Sequence, residues 1–317
     1  MPEVSVIIPV YNGEKFIKEA LDSVFAQTFH DFEIIVVNDG STDSTERSLS
    51  KYMGQITYVV QMNQGQSVSR RRGLQESTGN FVAFLDADDI WIPRKLERQV
   101  GFALAHPEYG IVTTDVASFE DQQTVLSSLK QWHQIPDGYV LENLLFDNWI
   151  PPSAALVRRE CFDRVTTFDV PPPCFGEDWM MWMEIAAHYP IHFVDEVLVC
   201  RRLHPESVSS QADEVQFRCL LRNLEIMEER IPQFRAQPAL IREAAFRICF
   251  RRGLGDLQAI RVLAARDKLR RAIGYRPYSV EAWMLFAGTF VPAPALHGLK
   301  RGVKTFRRFG SRIHTRS

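Results

Sequence analysis

The chain has 317 residues, 45% hydrophobic and 24% charged, with 37 Lys and Arg against 39 Asp and Glu for a formal net charge of −2. That composition belongs to a folded globular chain with material for one large domain or two, and it excludes the disordered, collagen-like and coiled-coil classes. The near-neutral total hides an asymmetry, because residues 1–240 carry 20 Lys and Arg against 35 Asp and Glu while residues 241–317 carry 17 against 4, so −15 faces +13. An acidic body that takes an anionic ligand needs local cations or a metal, and a basic tail suits phosphate-rich surfaces. The first twenty residues include Glu3, Glu14 and Lys15 and lack the basic start and apolar core of a secretory signal, which predicts a cytoplasmic location. Five cysteines, Cys161, Cys174, Cys200, Cys219 and Cys249, form no CxxC pair and are expected as buried thiols.

Val4 to Val10 is a short β-branched run ending in turn chemistry at Asn12-Gly13, the pattern of a buried strand. From Glu14 to Phe25 the apolar positions Phe16, Ile17, Ala20, Leu21, Val24 and Phe25 recur at helical spacing. Phe32 to Asn38 reads as a second strand, and a helix follows Asp39-Gly40-Ser41-Thr42-Asp43. Ile56 to Gln61, a helix through Arg70 to Gln75, Phe81 to Leu85 and a helix after Pro93 complete a β-α-β-α-β-α-β series, hence a mainly parallel α/β sheet flanked by helices. Past Ile111 to Phe119 the order is mixed, with proline clusters at 151–152 and 171–173. From Ala212 the periodicity is helical, and breaks near Pro232, Gly253-Leu254-Gly255, Gly274 and Pro292 predict four helices and a tail. The expected organisation is a ligand-binding half at 1–115, an acceptor half at 116–210 and a helical region at 211–317.

In open parallel sheets ligands sit beyond the carboxyl ends of the strands, which directs attention to residues 9–13, 38–43 and 86–89. Asp86-Ala87-Asp88-Asp89 crowds three carboxylates at such an end. A hard divalent cation makes sense of them, since Mg²⁺ is typically held by one or two carboxylates plus substrate phosphates; an acidic helix-capping loop is the plainer alternative. No Gly-x-Ser-x-Gly elbow is present and no cysteine has an adjacent histidine, so no nucleophile is evident.

Val4-Ser5-Val6-Ile7-Ile8-Pro9-Val10-Tyr11-Asn12, Val37-Asn38-Asp39-Gly40-Ser41-Thr42-Asp43 and Phe84-Leu85-Asp86-Ala87-Asp88-Asp89, in this order and spacing, resemble the family 2 inverting glycosyltransferases of GT-A fold. Gly176-Glu177-Asp178-Trp179 with Trp182 is similar to that family's acidic motif ahead of a helix, and Arg201-Arg202-Leu203-His204 to its downstream histidine segment. The resemblance covers residues 1–210. It implies a GT-A-like domain with a helical C-terminal extension, a nucleotide-sugar donor (UDP-linked by analogy), a glycan or lipid-linked acceptor, Mg²⁺ or Mn²⁺ as cofactor, and a part in cell-surface polysaccharide or glycolipid assembly. By the same resemblance Pro9, Tyr11 and Asp39 hold the base, Asp86 the ribose, Asp88 the metal, and His204 completes the metal shell. Arg70 matches the family's donor-side arginine, although Arg71 stands where relatives usually place asparagine, which leaves open which of Arg70, Arg71 and Arg72 faces the donor. Asp178 is the candidate base for the acceptor hydroxyl. A helix N-terminus would lower its pKa while Glu177 and apolar neighbours would raise it.

Leu296, Leu299, Val303, Phe306 and Ile313 alternate with Lys300, Arg301, Lys304, Arg307, Arg308 and Arg312, a basic amphipathic stretch. With the uncharged run from Ala282 it predicts peripheral contact of residues 282–313 with the inner face of a membrane. The alternatives are packing on the protein's own acidic body or a frayed tail, which Gly298, Gly302 and Gly310 favour. Pro292 and Pro294 interrupt the run, which argues against a span. The basic segment has no nucleic-acid reading module, so nucleic acid is not expected as a partner. Two other functions fit an α/β sheet with acidic strand ends. A sugar nucleotidyltransferase would need a glycine-rich, arginine-bearing loop where Tyr11-Asn12-Gly13 stands, and a noncatalytic glycan- or nucleotide-binding scaffold would not need Asp39, Asp86, Asp88 and Asp178 together.

Overall fold

A computed structural model describes residues 1–120, 125–131, 135–169, 175–205 and 214–291. The chain divides into two compact units, Met1–Cys219 with Glu229–Gln233, and Leu220–Glu228 with Phe234–Ser317.

The first unit is built on a sheet. In chain order its elements are β1 (Val4–Val10), α1 (Ile17–Phe25), β2 (Phe32–Asn38), α2 (Thr45–Leu49), β3 (Thr57–Val60), α3 (Gln66–Glu76), β4 (Phe81–Phe84), β5 (Ile90–Trp91), α4 (Lys95–Ala105) and β6 (Ile111–Phe119). They continue with β7 (Val125–Ser128), α5 (Leu141–Phe146), β8 (Leu156–Arg158), α6 (Glu177–Ala186) and β9 (Ile191–Arg202). The strand order is β3-β2-β1-β4-β8-β6-β9-β5, with β7 on β6. β3, β2, β1 and β4 run parallel, β8 is antiparallel to both its neighbours, and β9 returns parallel to β6. The expected halves 1–115 and 116–210 therefore share one sheet, and β6 itself crosses position 115.

From β1 the chain moves outward to β2 and β3, then returns to β4 on β1's other side. That reversal opens a crevice beyond the carboxyl ends of β1 and β4. Both faces of β1 are covered, as its unbroken apolar run requires. Val4, Val6, Ile8 and Val10 join Ile17, Ala20, Leu21 and Val24 of α1 and Leu96 and Val100 of α4 in one core. The first helix begins at Ile17 rather than Glu14, because Glu14 is held elsewhere: its backbone N–H donates to Asp43 and its carboxylate accepts from Ser44 N.

Helices α7 (Glu214–Arg230), α8 (Pro232–Ala236), α9 (Pro238–Gln258), α10 (Val262–Tyr275) and α11 (Val280–Gly288) complete the described residues, five where four were expected. The additional helix is the short α8, separated from α9 at Gln237, and the break expected at Gly253-Leu254-Gly255 falls inside α9 instead. Gly253 is there for close approach: a β-carbon would meet Leu269 Cγ of α10 at 2.8 Å. Gly255, two residues on, has nothing within 4 Å. Their alanine variants should therefore differ in sign. Gly255→Ala should stabilise by roughly 0.5–1 kcal/mol through backbone entropy. In Gly253→Ala the same gain is overtaken by an overpacking cost of about 1–3 kcal/mol. Urea denaturation of the two variants checks the contrast; equal shifts would show that α9 and α10 do not pack this closely.

No helix among the described residues is long and apolar enough to cross a membrane. The basic stretch 292–313 lies outside the described residues.

Candidate active site

The crevice is floored by loops that hold one another. Tyr11, directly after β1, is half exposed, and Asn12 takes a left-handed conformation (φ 52°). Asn12 N donates to Ser41 Oγ at 3.0 Å, and its side-chain oxygen accepts from Thr42 N at 2.8 Å. Asp43 accepts from Thr45 N and Oγ1, and these hydrogen bonds outweigh burial and hold its carboxyl below the usual range. Pro9 is buried in β1 opposite Val37. Asp39, also buried, accepts from Gln61 Nε2 (2.7 Å), Gln64 N (3.0 Å) and Gly65 N (2.8 Å). It thus fastens the loop ahead of α3, and since a carboxylate has about four acceptor positions, capacity remains on Oδ2.

Arg70 is 2% exposed and joins two distant segments. Its Nη2 donates to Asp86 Oδ1 at 2.8 Å, just past β4, and its Nη1 to Glu177 Oε1 at 2.5 Å, in the first turn of α6. Burial alone would favour discharge, but Asp86, Glu177 and Asp178 outweigh it and hold the guanidinium firmly charged. The neighbouring arginines point elsewhere: Arg71 Nη1 donates to Phe168 O at 3.3 Å, and Arg72 makes an exposed pair with Glu76 at 2.6 Å. Of the three, the tertiary structure brings Arg70 to the carboxylates.

Gly176 starts α6 at φ 78°, a left-handed conformation that only glycine takes without penalty. The indoles of Trp179 and Trp182 donate to Leu144 O (2.6 Å) and Ile150 O (2.9 Å), pinning the helix to the segment that carries Asn148. Asn148 Nδ2 consequently reaches Asp178 Oδ2 at 3.2 Å. The two opposing expectations for Asp178 resolve upward. Burial pushes its carboxyl above the usual value with Asp86 adding to it, against the opposing pull of Arg70 and hydrogen bonds from Trp179 N and Asn148. Glu177 is raised by burial in the same way despite Arg70.

Asp88 and His204 meet, with Oδ2···Nε2 at 2.9 Å. Burial, and then Asp86, raise the Asp88 carboxyl. Asp89 is a structural tie, buried and accepting from Ser153 Oγ (2.6 Å) and Arg202 N (3.1 Å). Among the described residues no three His, Cys, Asp or Glu side chains converge as a metal site. Two donors nevertheless suit Mg²⁺ or Mn²⁺ at a diphosphate, where substrate oxygens and waters fill the shell. The observed spacing agrees, since two cis ligands at about 2.1 Å from a six-coordinate ion stand about 3 Å apart. The structure thus gathers Asp86, Arg70 and Asp178 into one cluster and Asp88 with His204 into a pair beside it. Gln61, Asn148 and Ser153 were missed; each is an isolated polar residue in a loop, with no spacing signal to mark it.

Residues 5–166 match Glycosyl transferase family 2. An uncharacterized glycosyltransferase of Rickettsia felis is 30% identical over 223 residues, 69% of this chain and 37% of that protein. The uncharacterized glycosyltransferase RP339 of Rickettsia prowazekii is 31% identical over 219 residues, 67% of each chain. The chain thus spans little more than a third of the length of the first of these relatives. Among solved structures, S. aureus TarS 1–349 in complex with UDP-GlcNAc superposes with a TM-score of 0.66 at 20% identity, covering 95% of this chain and 92% of that one. The mannosyltransferase PcManGT from Pyrobaculum calidifontis, in complex with GDP-Man and Mn²⁺, gives 0.58 at 19% identity, covering 96% and 80%. With the parallel sheet, its reversal at β1 and β4 and the helical C-terminal region, these matches place the fold among GT-A-like proteins, and the chain belongs to glycosyl transferase family 2.

Proposed function

We propose that the protein moves a sugar from a nucleoside-diphosphate sugar to an acceptor hydroxyl in one inverting displacement that depends on Mg²⁺ or Mn²⁺. The observation that carries this reading is the Arg70 bridge, which sets Asp86 at the end of β4 against Glu177 and Asp178 of α6. Residues 1–115 serve the donor, 116–210 the acceptor, and 211–317 form the helical extension.

Tyr11 offers a ring face to the base, Asp39 accepts from its polar edge through the free capacity of Oδ2, and Pro9 shapes the wall beneath. Asp86 accepts from the ribose hydroxyls, and Arg70 acts on the donor by fixing that carboxylate. Asp88 and His204 would hold the cation, which when bound supplies Lewis-acid stabilisation of the departing diphosphate. Asp178 removes the proton from the acceptor hydroxyl as the new C–O bond forms. The anomeric C–O bond breaks on the opposite face, and the nucleoside diphosphate leaves with its electrons. A carboxyl raised by burial is better matched to this task than an ordinary aspartate, because a base works best with a pKa nearer the working pH. Asn148 orients the Asp178 carboxylate by donating to Oδ2.

UDP is the nucleotide we assign, after the TarS complex, and a glycan or lipid-linked saccharide of the cell surface is the acceptor class. Thermal shifts with a panel of UDP- and GDP-sugars plus Mn²⁺ test the reading, because a ligand of the native state raises its melting point. Chromatography of released nucleoside diphosphate completes the test. Absence of both a shift and release across the panel would favour a noncatalytic scaffold.

The enzyme would work in the cytoplasm at the inner face of a membrane. α11 exposes Trp283 and Met284, and Phe290 beyond it is exposed too, ahead of the basic stretch. Each cation near an anionic leaflet contributes on the order of 1 kcal/mol. Flotation with phosphatidylserine vesicles should therefore recover the full chain and lose a chain truncated after Gly288. Equal recovery of the two rules out contact through 289–313.

A further inference from the structure

Arg202, the last residue of β9, is 8% exposed and has no assigned part in the donor site. Its contacts converge on the loop that carries Asp88. The backbone N–H donates to Asp89 Oδ1 at 3.1 Å, and Nε donates to the backbone carbonyl of Asp88 at 3.1 Å. Nη2 donates to Glu19 Oε2 of α1 at 2.7 Å. The guanidinium carbon lies over two rings, 4.7 Å from the Phe16 centroid and 4.6 Å from that of Phe119. Phe16 also packs on the His204 imidazole at 4.9 Å. One residue further along, Leu203 N donates to Phe119 O, so the chain stays in register up to the residue before His204.

A metal-binding histidine is normally oriented by a hydrogen bond at its other ring nitrogen. Here His204 Nδ1 is buried and has no hydrogen-bond partner among the described residues. Among the described residues the ring is placed by the Phe16 contact and by the backbone that Arg202 anchors. We propose that Arg202 is the positioning residue of the cation site, tying the Asp88 carbonyl to the strand end that carries His204 so that carboxylate and imidazole stay one ligand edge apart. The proposal rests on the reading that Asp88 and His204 take the cation. Glu19 balances the Arg202 charge, which would otherwise oppose a divalent ion close by. Lysine cannot replace the arginine. A single ammonium lacks the planar, multiply donating group that contacts both rings while donating to a carbonyl and a carboxylate.

The test measures Mn²⁺ binding to the full chain in the presence of saturating UDP, from the amplitude of the free-ion EPR signal. Arg202→Gln should weaken Mn²⁺ by about 10- to 100-fold, the usual effect of removing a group that supports a metal ligand. Arg202→Lys should weaken it by about fivefold or more, since charge alone does not restore the geometry. The Mn²⁺ concentration for half-maximal activity should rise in parallel, with kcat recovered at saturating metal. A folded Arg202→Gln chain that binds Mn²⁺ within about twofold of the parent, while Asp88→Asn abolishes binding, overturns the proposal and leaves the cation site standing. Should Arg202→Gln not fold, Arg202→Lys decides by the same twofold criterion. Mn²⁺ binding that survives Asp88→Asn overturns the cation site itself, and the role of Arg202 with it.

Discussion

Asp178→Asn is expected to slow transfer roughly 10²- to 10⁴-fold, the usual contribution of a general base, or about 3–5 kcal/mol of barrier. The amide keeps the shape and its place opposite Asn148 but cannot take a proton. Donor affinity should change little, since the proposed donor contacts lie on other residues. Two pH signatures accompany the loss. Burial raises the Asp178 carboxyl, so the acid limb of the parent's rate profile should lie above the ordinary aspartate range and be missing from the variant's residual activity. Stability should move the other way. A folded pKa above the unfolded one means that the native state binds more protons between those two values, so Asp178 costs stability as pH rises through that window. Once ionised, the parent keeps that cost, and Asp178→Asn should melt higher than the parent at neutral pH. The charged groups facing Asp178 are Arg70 of α3, Glu177 of its own helix and Asp86 past β4. A variant with full transfer rate on a verified acceptor would remove Asp178 from the mechanism.

Removing the cation is expected to be as severe. Chelation should abolish turnover, and Asp88→Asn should lower it roughly 10³-fold, because a divalent ion at a departing diphosphate supplies several kcal/mol of charge stabilisation. The ground state should register the change as well. Calorimetry with UDP should show Mn²⁺-enhanced binding in the parent and equal, weak binding with and without Mn²⁺ in Asp88→Asn. Asp89→Asn separates ligand from tie, since Asp89 is occupied by Ser153 and Arg202. That substitution keeps an acceptor for Arg202 N and should leave Mn²⁺-enhanced UDP binding in place. Turnover by Asp88→Asn at the parent's rate, or unaffected by chelator, would point to a cation-independent displacement.

Where the sequence was read well, the signal was local. The four parallel strands each carry their own apolar run, and the polar segments at Tyr11, Asp39 and Asp86 sit where such strands must end. The start of α6 was equally plain, because Glu177 and Asp178 stand directly ahead of helically spaced tryptophans. The central part of α9 was not: a glycine that breaks a helix and one that admits a neighbouring helix look alike until Leu269 is in place.

What the sequence alone determined is therefore the four parallel strands β1 to β4 and the residue types placed at their carboxyl ends, since each follows from patterns a few residues long. Tertiary structure decided which of three consecutive arginines meets Asp86, that Asp89 is a tie while Asp88 faces His204, and that the Asp178 carboxyl is raised rather than lowered. Those outcomes depend on charges and hydrogen bonds between segments 16 to 116 positions apart, and on how far burial removes each carboxylate from water. No local pattern encodes a distance across the fold.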